Sequence, residues 1–305
     1  MKAGAAAYVA AKLRSLDADL EPAAKRVLAA ADDEAVHDMR VAIRRTRTLL
    51  KIARPLFGTF HTDAVRRAFV AVQKATGELR DEEALEETLA KIAIKDAPFN
   101  AWRERRKARE RMLRRAVVRM LASGELTRAR ELLLALVTLP TKPSRDRDAA
   151  KFARKSAEEA REGIEKHRDA KTDDVEALHE LRIAYKQLRY AIELFTDVLP
   201  ADVIAARDPA VRFQKKLGEI HDLDVAALTI TRARGLLPHT KELAVRALVT
   251  ERARKIESYT REMQPAPPPA PTTPAEPIRA SAASRSGKSR PSSRRRAPSD
   301  GPAPR

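Results

Sequence analysis

The sequence predicts an all-α protein in which one helical folding unit is used twice. Helix-forming residues dominate the first 262 positions, and no run alternates between apolar and polar residues with the period of a strand. Residues 36–57 recur as residues 178–199, and residues 72–85 recur as residues 213–226. Both echoes keep their order and nearly the same separation, which indicates duplication of a whole unit.

Each predicted helix follows a run of helically spaced apolar residues, and prolines at positions 22, 55, 98, 140 and 200 mark the predicted breaks. Asp174 or Asp173 could cap the helix that begins the second echo. The segment 138–148, rich in Pro and charge, is the predicted joint between the copies. The predicted helices cover approximately residues 4–19, 22–31, 35–55, 62–94, 98–122, 127–138, 147–169, 174–198, 202–234 and 238–262.

The N-terminal segment predicts an amphipathic helix rather than a signal peptide. Its apolar run is interrupted by Lys12 and Arg14, whereas Val9, Leu13 and Leu16 share one helical face. No apolar run approaches the roughly 20 residues that span a bilayer. With no cysteine in the chain, we expect a cytoplasmic protein without disulfides or a thiolate metal site.

The charge balance points to a polyanionic partner. The formal net charge is +18, and the segment after Met263 contributes +6 of it, with eight Lys and Arg against two acids. That segment, residues 264–305, is rich in Pro, Ser and Arg and is predicted to be a disordered tail. The helical part therefore also carries a surplus. The chain has only 12 aromatic residues, few for a protein that stacks nucleobases.

Both copies carry a single-sign stripe of side chains along one helix. On a helical wheel the first-copy members fall within an arc of about 80°, directly beside the apolar arc. Carboxylates at i,i+4 spacing would make this an ordinary solvated face, but the stripe contains none, and guanidinium groups suit phosphate oxygens. We define the basic stripe as His37, Arg40, Arg44, Arg47 and Lys51 in the first copy, and His179, Arg182, Lys186 and Arg189 in the second.

Two acids recur with the stripe. Asp81 and Asp222 each follow the repeated Gly-Glu pair, and they are predicted either to form local ion pairs or to orient stripe arginines from behind. A metal site built from His221, Asp222 and Asp224 with Glu219 is not expected. The first copy has Arg80 in place of His221, so such a site would not be duplicated.

The two motif pairs resemble the CHAD domain, the conserved histidine α-helical domain. The first half contributes HDMRVAIRRTR and GELRDEE, and the second half HELRIAYKQLRYAIELF and LGEIHDLDV. The first half departs from the family pattern at Thr46 and Glu83. The resemblance implies two helical bundles related by a pseudo-two-fold, with a basic groove between them. It also implies a domain over residues 1–263, with halves at about 1–140 and 147–263.

The family is associated with inorganic polyphosphate and with polyphosphate granules. The resemblance therefore implies a non-catalytic polyphosphate binder of the cytoplasm, located on granules, with the basic stripe as its ligand set and no cofactor. A nucleic-acid binder remains the first alternative, with DNA or RNA contacted by the core or by the tail. A polyphosphate or triphosphate hydrolase is the second, and it would require clustered carboxylates beside the stripe.

Overall fold

A computed structural model describes residues 4–30, 32, 34–138 and 148–263. Helices account for almost all of this part of the chain, so the predicted all-α class is confirmed. The predicted tail at 264–305 and most of the predicted joint, residues 139–147, lie outside the described residues. The helices are α1 (Ala5–Leu28), α2 (Ala35–Phe57), α3 (Thr59–Ala75), α4 (Gly77–Ala90), α5 (Ala97–Ala122), α6 (Glu125–Thr138), α7 (Ala149–Lys166), α8 (Val175–Phe195), α9 (Ala201–Ile204), α10 (Arg207–Arg232) and α11 (Pro238–Met263).

The duplication appears in the way the helices pack. In the first copy α1 and α3 pack against α2, and α4 packs against α5; in the second copy α7 and α10 pack against α8, and α10 packs against α11. The copies meet where α2 packs against α8 and where α4 packs against α10. The two helices that carry the basic stripe, α2 and α8, are therefore neighbours.

The apolar arcs of α2 and α8 form the centre of the core. Met39 and Ile43 on α2 and Leu181 and Ile192 on α8 have no exposed surface. Burial of such side chains is the main favourable contribution to folding. With the apolar arcs buried, the adjacent stripes are held at the edge of the core. No helix among the described residues combines the length and the apolar character needed to cross a membrane.

Two proline breaks were predicted wrongly. Pro22 and Pro55 both lie inside helices, α1 and α2 respectively. A proline inside a helix removes one backbone hydrogen bond. In α1 this loss is offset by packing on both sides of the proline, where Leu20, Ala23 and Val27 are buried.

Two long predicted helices are divided in the structure. The predicted 62–94 helix separates into α3 and α4 at Thr76, whose hydroxyl donates to the carbonyl oxygen of Gln73 at 3.0 Å. A hydroxyl that bonds to a nearby backbone carbonyl competes with helix continuation. The second copy has Leu217 in the place of Thr76, and α10 continues without a break. The predicted 202–234 helix separates into α9 and α10.

The substitution Leu181→Asp tests the assignment of the buried face of α8. Leu181 has no exposed surface, so the variant would bury an unpaired carboxylate. We expect the free energy of unfolding to fall by at least about 3 kcal/mol in a urea titration followed by circular dichroism. The matched control is Val175→Asp on the same helix, where the side chain is 45% exposed. Equal midpoints for the two variants would contradict the assignment.

Candidate functional site

A groove of about 590 Å³ lies between α2 and α3 on one side and α7 and α8 on the other. Its lining is strongly basic, and Glu159 is the one acid among the lining residues that the structure describes. Both copies contribute to it, because α2 and α3 belong to the first and α7 and α8 to the second. The cationic lining residues are Arg44, Arg47, Lys51, Arg54, Arg66, Lys155 and Lys186.

The stripe arginines hold buried donors that lack an acceptor. The Nε atoms of Arg40, Arg44, Arg47 and Arg182 are buried and have no hydrogen-bond partner in the described part of the chain. Buried polar atoms are almost always paired, and an unpaired one costs roughly 1–3 kcal/mol. Four such donors on two adjacent helices therefore lack an acceptor from the described residues.

Many basic residues outside the groove are paired with acids. Arg103 contacts Glu86 at 2.5 Å, and Arg106 contacts Glu82 at 2.7 Å. By contrast, no carboxylate within the described residues forms an ion pair with Arg44, Lys51 or Lys186. The groove thus brings together cations that the described acids do not neutralise.

In the first copy, the break between α3 and α4 holds two stripe arginines in place. Arg40 donates through Nη1 to the carbonyl oxygen of Gln73 at 2.8 Å and to the hydroxyl of Thr76 at 2.5 Å. Arg47 donates through Nη1 to the side-chain oxygen of Gln73. Gln73 therefore binds both arginines, one through its backbone and one through its amide, and each keeps its Nε unpaired.

In the second copy the same positions act differently. Arg182 forms no hydrogen bond or ion pair within the described residues. Its Nε lies so close to Gly218 that a Cβ atom added to this glycine would be 3.4 Å away from it. The glycine thus permits the guanidinium to lie against α10. Arg189 approaches the side-chain oxygen of Gln214 at 3.5 Å, which repeats the Arg47–Gln73 pair.

Glu193 neutralises the far end of the second stripe. It occupies the position that corresponds to Lys51 and accepts from the Nε of Arg189 at 2.8 Å and from Arg45 at 3.1 Å. Arg189 does not line the groove. The two copies therefore contribute unequally: cations of the first dominate the groove wall.

Electrostatic coupling shows that the stripes of the two copies converge. Burial, together with the positive charges of Arg182, Arg44 and Arg47, lowers the pKa of Lys186 to about 8. Burial also lowers the pKa of Arg182. The charge of Arg44 acts in the same direction, whereas Asp222 acts in the other direction. Lys186 thus lies among arginines of both copies, where a phosphate anion would relieve the repulsion.

The two stripe histidines lie at the starts of α2 and α8, outside the groove lining. Burial lowers the pKa of His37 and of His179, with Arg80 and Arg182 as the leading neighbouring charges. His179 Nδ1 lies 3.3 Å from His221 Nδ1, and burial together with Arg182 and His179 lowers the pKa of His221 to about 4. With their pKa values lowered, these rings are neutral at pH 7 and carry one N–H each, and at the His179–His221 contact one ring uses that N–H to donate to the other.

The repeated acids do not hydrogen-bond to stripe arginines. Burial raises the pKa of Asp222, opposed mainly by the positive charge of Arg182. Burial and the charge of Arg44 lower the pKa of Arg40, and the exposed Asp81 opposes this shift. Their orienting role remains a prediction.

Two acids of the metal site considered in the sequence analysis pair with basic residues of α11. Asp224 pairs with Arg252 at 2.5 Å and Glu219 with Lys255 at 2.8 Å. Among the described residues, no three His, Asp or Glu side chains are placed to hold a metal ion.

Several site residues escaped prediction from the sequence. Arg54, Arg66 and Lys155 line the groove, but Arg66 and Lys155 lie outside the repeated motifs. Thr76 has no counterpart in the second copy, so the duplication could not reveal it. Gln73 could have been found, because Gln214 occupies the equivalent position. Of the predicted ligands, the structure places Arg44, Arg47, Lys51 and Lys186 in the groove, with Arg40 and Arg182 partly buried near its arginines.

Comparison with known proteins gives one family and one fold. The model of the CHAD domain family matches residues 7–231. The crystal structure of the CHAD domain from the plant Ricinus communis superposes with a TM-score of 0.73 at 22% identity, covering 86% of this chain and 92% of that one. PptA from Streptomyces chartreusis superposes with a TM-score of 0.60 at 16% identity, covering 86% and 98%. A search of the curated proteins finds no match.

The depressed pKa of Lys186 predicts a stability cost. The unfolded chain keeps the lysine proton up to about its ordinary pKa of 10.5, whereas the folded protein releases it near pH 8. Below pH 8 the folded state therefore holds a charge that its surroundings disfavour, and the cost disappears between pH 8 and 10.5. We expect Lys186→Met to raise the free energy of unfolding by about 2 kcal/mol at pH 7 and by much less at pH 10.

Urea titrations at both pH values measure this effect on ligand-free protein. The matched control is Lys155→Met, because Lys155 lines the same groove but its side chain is 69% exposed. A pH-independent gain, or the same gain for both variants, would show that Lys186 is not disfavoured by its neighbours.

Proposed function

Because the chain belongs to the CHAD domain family, we propose that it binds inorganic polyphosphate in the groove between α2 and α8 without hydrolysing it. In this proposal residues 1–263 form the binding domain and residues 264–305 a basic tail. The phosphate oxygens accept from the cations of the basic stripe, with Arg54, Arg66 and Lys155 as additional contacts.

The observation that carries the proposal is the set of four buried, unpaired Nε donors. A guanidinium that already uses one Nη, as in Arg40 and Arg47, still presents Nε and its other Nη as a planar fork. Such a fork fits two oxygens of one phosphate. The donors recur along two helices, so the arrangement suits a repeating chain of phosphates better than a single anion.

Size and chemistry favour a thin chain. The groove lining on α2 includes Arg44 and Arg54, which are about 15 Å apart along the helix, enough for several consecutive phosphates. Two aromatic residues, Phe152 and Tyr190, line the groove, but both are buried, and Phe152 packs on Phe195. They offer no free ring for stacking a base, which weighs against nucleic acid as the ligand of this groove.

The arrangement of acids supports binding rather than hydrolysis. Metal-assisted phosphoryl chemistry uses clustered carboxylates beside the phosphates. Glu159, the acid of the groove lining, interacts with Lys155, and Glu219 and Asp224 of α10 pair with basic residues of α11. The groove therefore supplies charge and hydrogen-bond donors. Binding to a storage polymer is consistent with a location on polyphosphate granules in the cytoplasm, and the tail could add contacts to DNA or RNA.

The double variant Arg44→Gln, Lys186→Gln tests the groove. Removing two cations, one from each copy, deletes their charge-assisted hydrogen bonds, each worth roughly 1.5–3 kcal/mol. We expect affinity for long-chain polyphosphate to fall at least about 100-fold, measured by calorimetry at fixed salt. Deletion of residues 264–305 is expected to have a much smaller effect.

The matched control is Arg246→Gln, Arg261→Gln on α11. Both side chains are 75% exposed and paired with acids, so the control loses the same formal charge without altering the groove. Equal losses for the two double variants would mean that net charge alone governs binding. A loss confined to the tail deletion would move the site out of the groove.

A further inference from the structure

Helix α5 sorts its arginines onto two faces. The inner face packs towards α4, where each arginine meets a glutamate: Arg103 with Glu86 at 2.5 Å, Arg106 with Glu82 at 2.7 Å, Arg109 with Glu78 at 2.9 Å and Arg114 with Glu83 at 3.1 Å. The outer face, defined by Arg105, Arg111, Arg115 and Arg119, is exposed, and none of these four has an acidic partner within 4 Å in the described part of the chain.

The outer face is a ridge on which positive charge predominates. On a helical wheel its four arginines fall within an arc of about 120°. Ala101, Ala108 and Met112, which is 52% exposed, share that arc with Glu104, whose carboxylate pairs with Lys107 at 2.8 Å. Arg111, Arg115 and Arg119 are spaced by four residues, an arrangement in which like charges repel. The inner arginines pair with nearby acids, whereas Glu104, the acid on the outer arc, pairs with Lys107 and not with an outer arginine.

From these observations we propose that the outer face of α5 is a second binding surface, which contacts the phosphate backbone of double-stranded nucleic acid. This surface is separate from the groove, which α5 does not line.

The shape of the surface decides between polyanions. The ridge is a convex helix, so a thin polyphosphate chain would contact it from one side only, without the enclosing walls of the groove. A duplex presents phosphates on both edges of a groove that admits an α-helix. From Arg105 to Arg119 the helix rises about 21 Å, the length of roughly six base pairs. The arginines can then contact phosphates of both strands.

The chemistry of the ridge predicts binding without sequence preference. Its arc carries no Asn or Gln that could read an adenine edge, and its arginines would be engaged by phosphate. An acidic membrane surface is the less favoured partner, because an interfacial helix buries a broad apolar face in the lipid. The apolar residues of α5, Phe99, Trp102, Val117 and Leu121, are instead buried in the protein.

Salt dependence of binding to a 20-base-pair DNA duplex of mixed sequence tests the proposal in the full-length protein. Each phosphate contact contributes about 0.9 to the slope of log affinity against log salt concentration. We expect Arg111→Gln, Arg115→Gln to reduce the magnitude of that slope by about 2 and to weaken binding at least 10-fold at low salt. We expect the same result for Arg105→Gln, Arg119→Gln. Agreement between the two double variants would show that the loss does not come from a structural disturbance caused by one pair of substitutions.

The control is again Arg246→Gln, Arg261→Gln, which removes equal charge from paired sites on α11. An equal change in slope for this control, or none for the α5 variants, would overturn the proposal. Binding of the wild type to vesicles containing anionic phospholipid, lost in the α5 variants while DNA binding is kept, would also overturn it by assigning the face to a membrane. The groove variant Arg44→Gln, Lys186→Gln should lose polyphosphate but keep the DNA slope, so the two proposals can fail separately.

Discussion

The close approach of like charges along α2 and α8 is the constraint on which the site depends. Lys186 of one copy lies among Arg44 and Arg47 of the other, and the lowered pKa of the lysine records the cost. The apolar arcs beside the stripes hold the charges together, because Met39, Ile43, Leu181 and Ile192 cannot leave the core without exposing their surface. Hydrophobic packing thus keeps assembled a cluster that repulsion would disperse, and a polyanion is the natural counter-charge.

The two copies share the arrangement of their helices but differ in how they hold the arginines of the basic stripe. In the first copy Thr76 ends α3, and the freed carbonyl of Gln73 with the Thr76 hydroxyl fixes Arg40. In the second copy α10 runs on, Gly218 lets Arg182 lie against it, and Glu193 takes up Arg189. The first copy therefore presents arginines that the protein holds in place. The second copy presents one less constrained arginine, Arg182, and another, Arg189, that Glu193 neutralises. Preset donors lower the entropic cost of binding.

The sequence was sufficient to predict the fold class and the two helices that carry the basic stripe, because helical periodicity and a repeated motif are local signals. The buried arc of α2, with Met39 and Ile43, and the adjacent stripe were both predictable on a wheel. The path of α1 through Pro22 was not, since it depends on packing against α2. The contribution of Arg66 and Lys155 also depends on tertiary contacts, and neither belongs to a repeated motif. The pairing of Arg189 with Glu193 shows that a correct stripe position need not face the groove.

In the proposed function, unpaired donors in a groove between two helices select a chain of phosphates. Competition at about 150 mM salt tests this selectivity: labelled long-chain polyphosphate bound to the protein is challenged with unlabelled polyphosphate, single-stranded RNA, duplex DNA and ATP. We expect that only polyphosphate displaces the label efficiently, because the nucleic acids lack the phosphate density of the chain and ATP lacks its length. Equal displacement by RNA or DNA would contradict it and would make the groove a general polyanion surface.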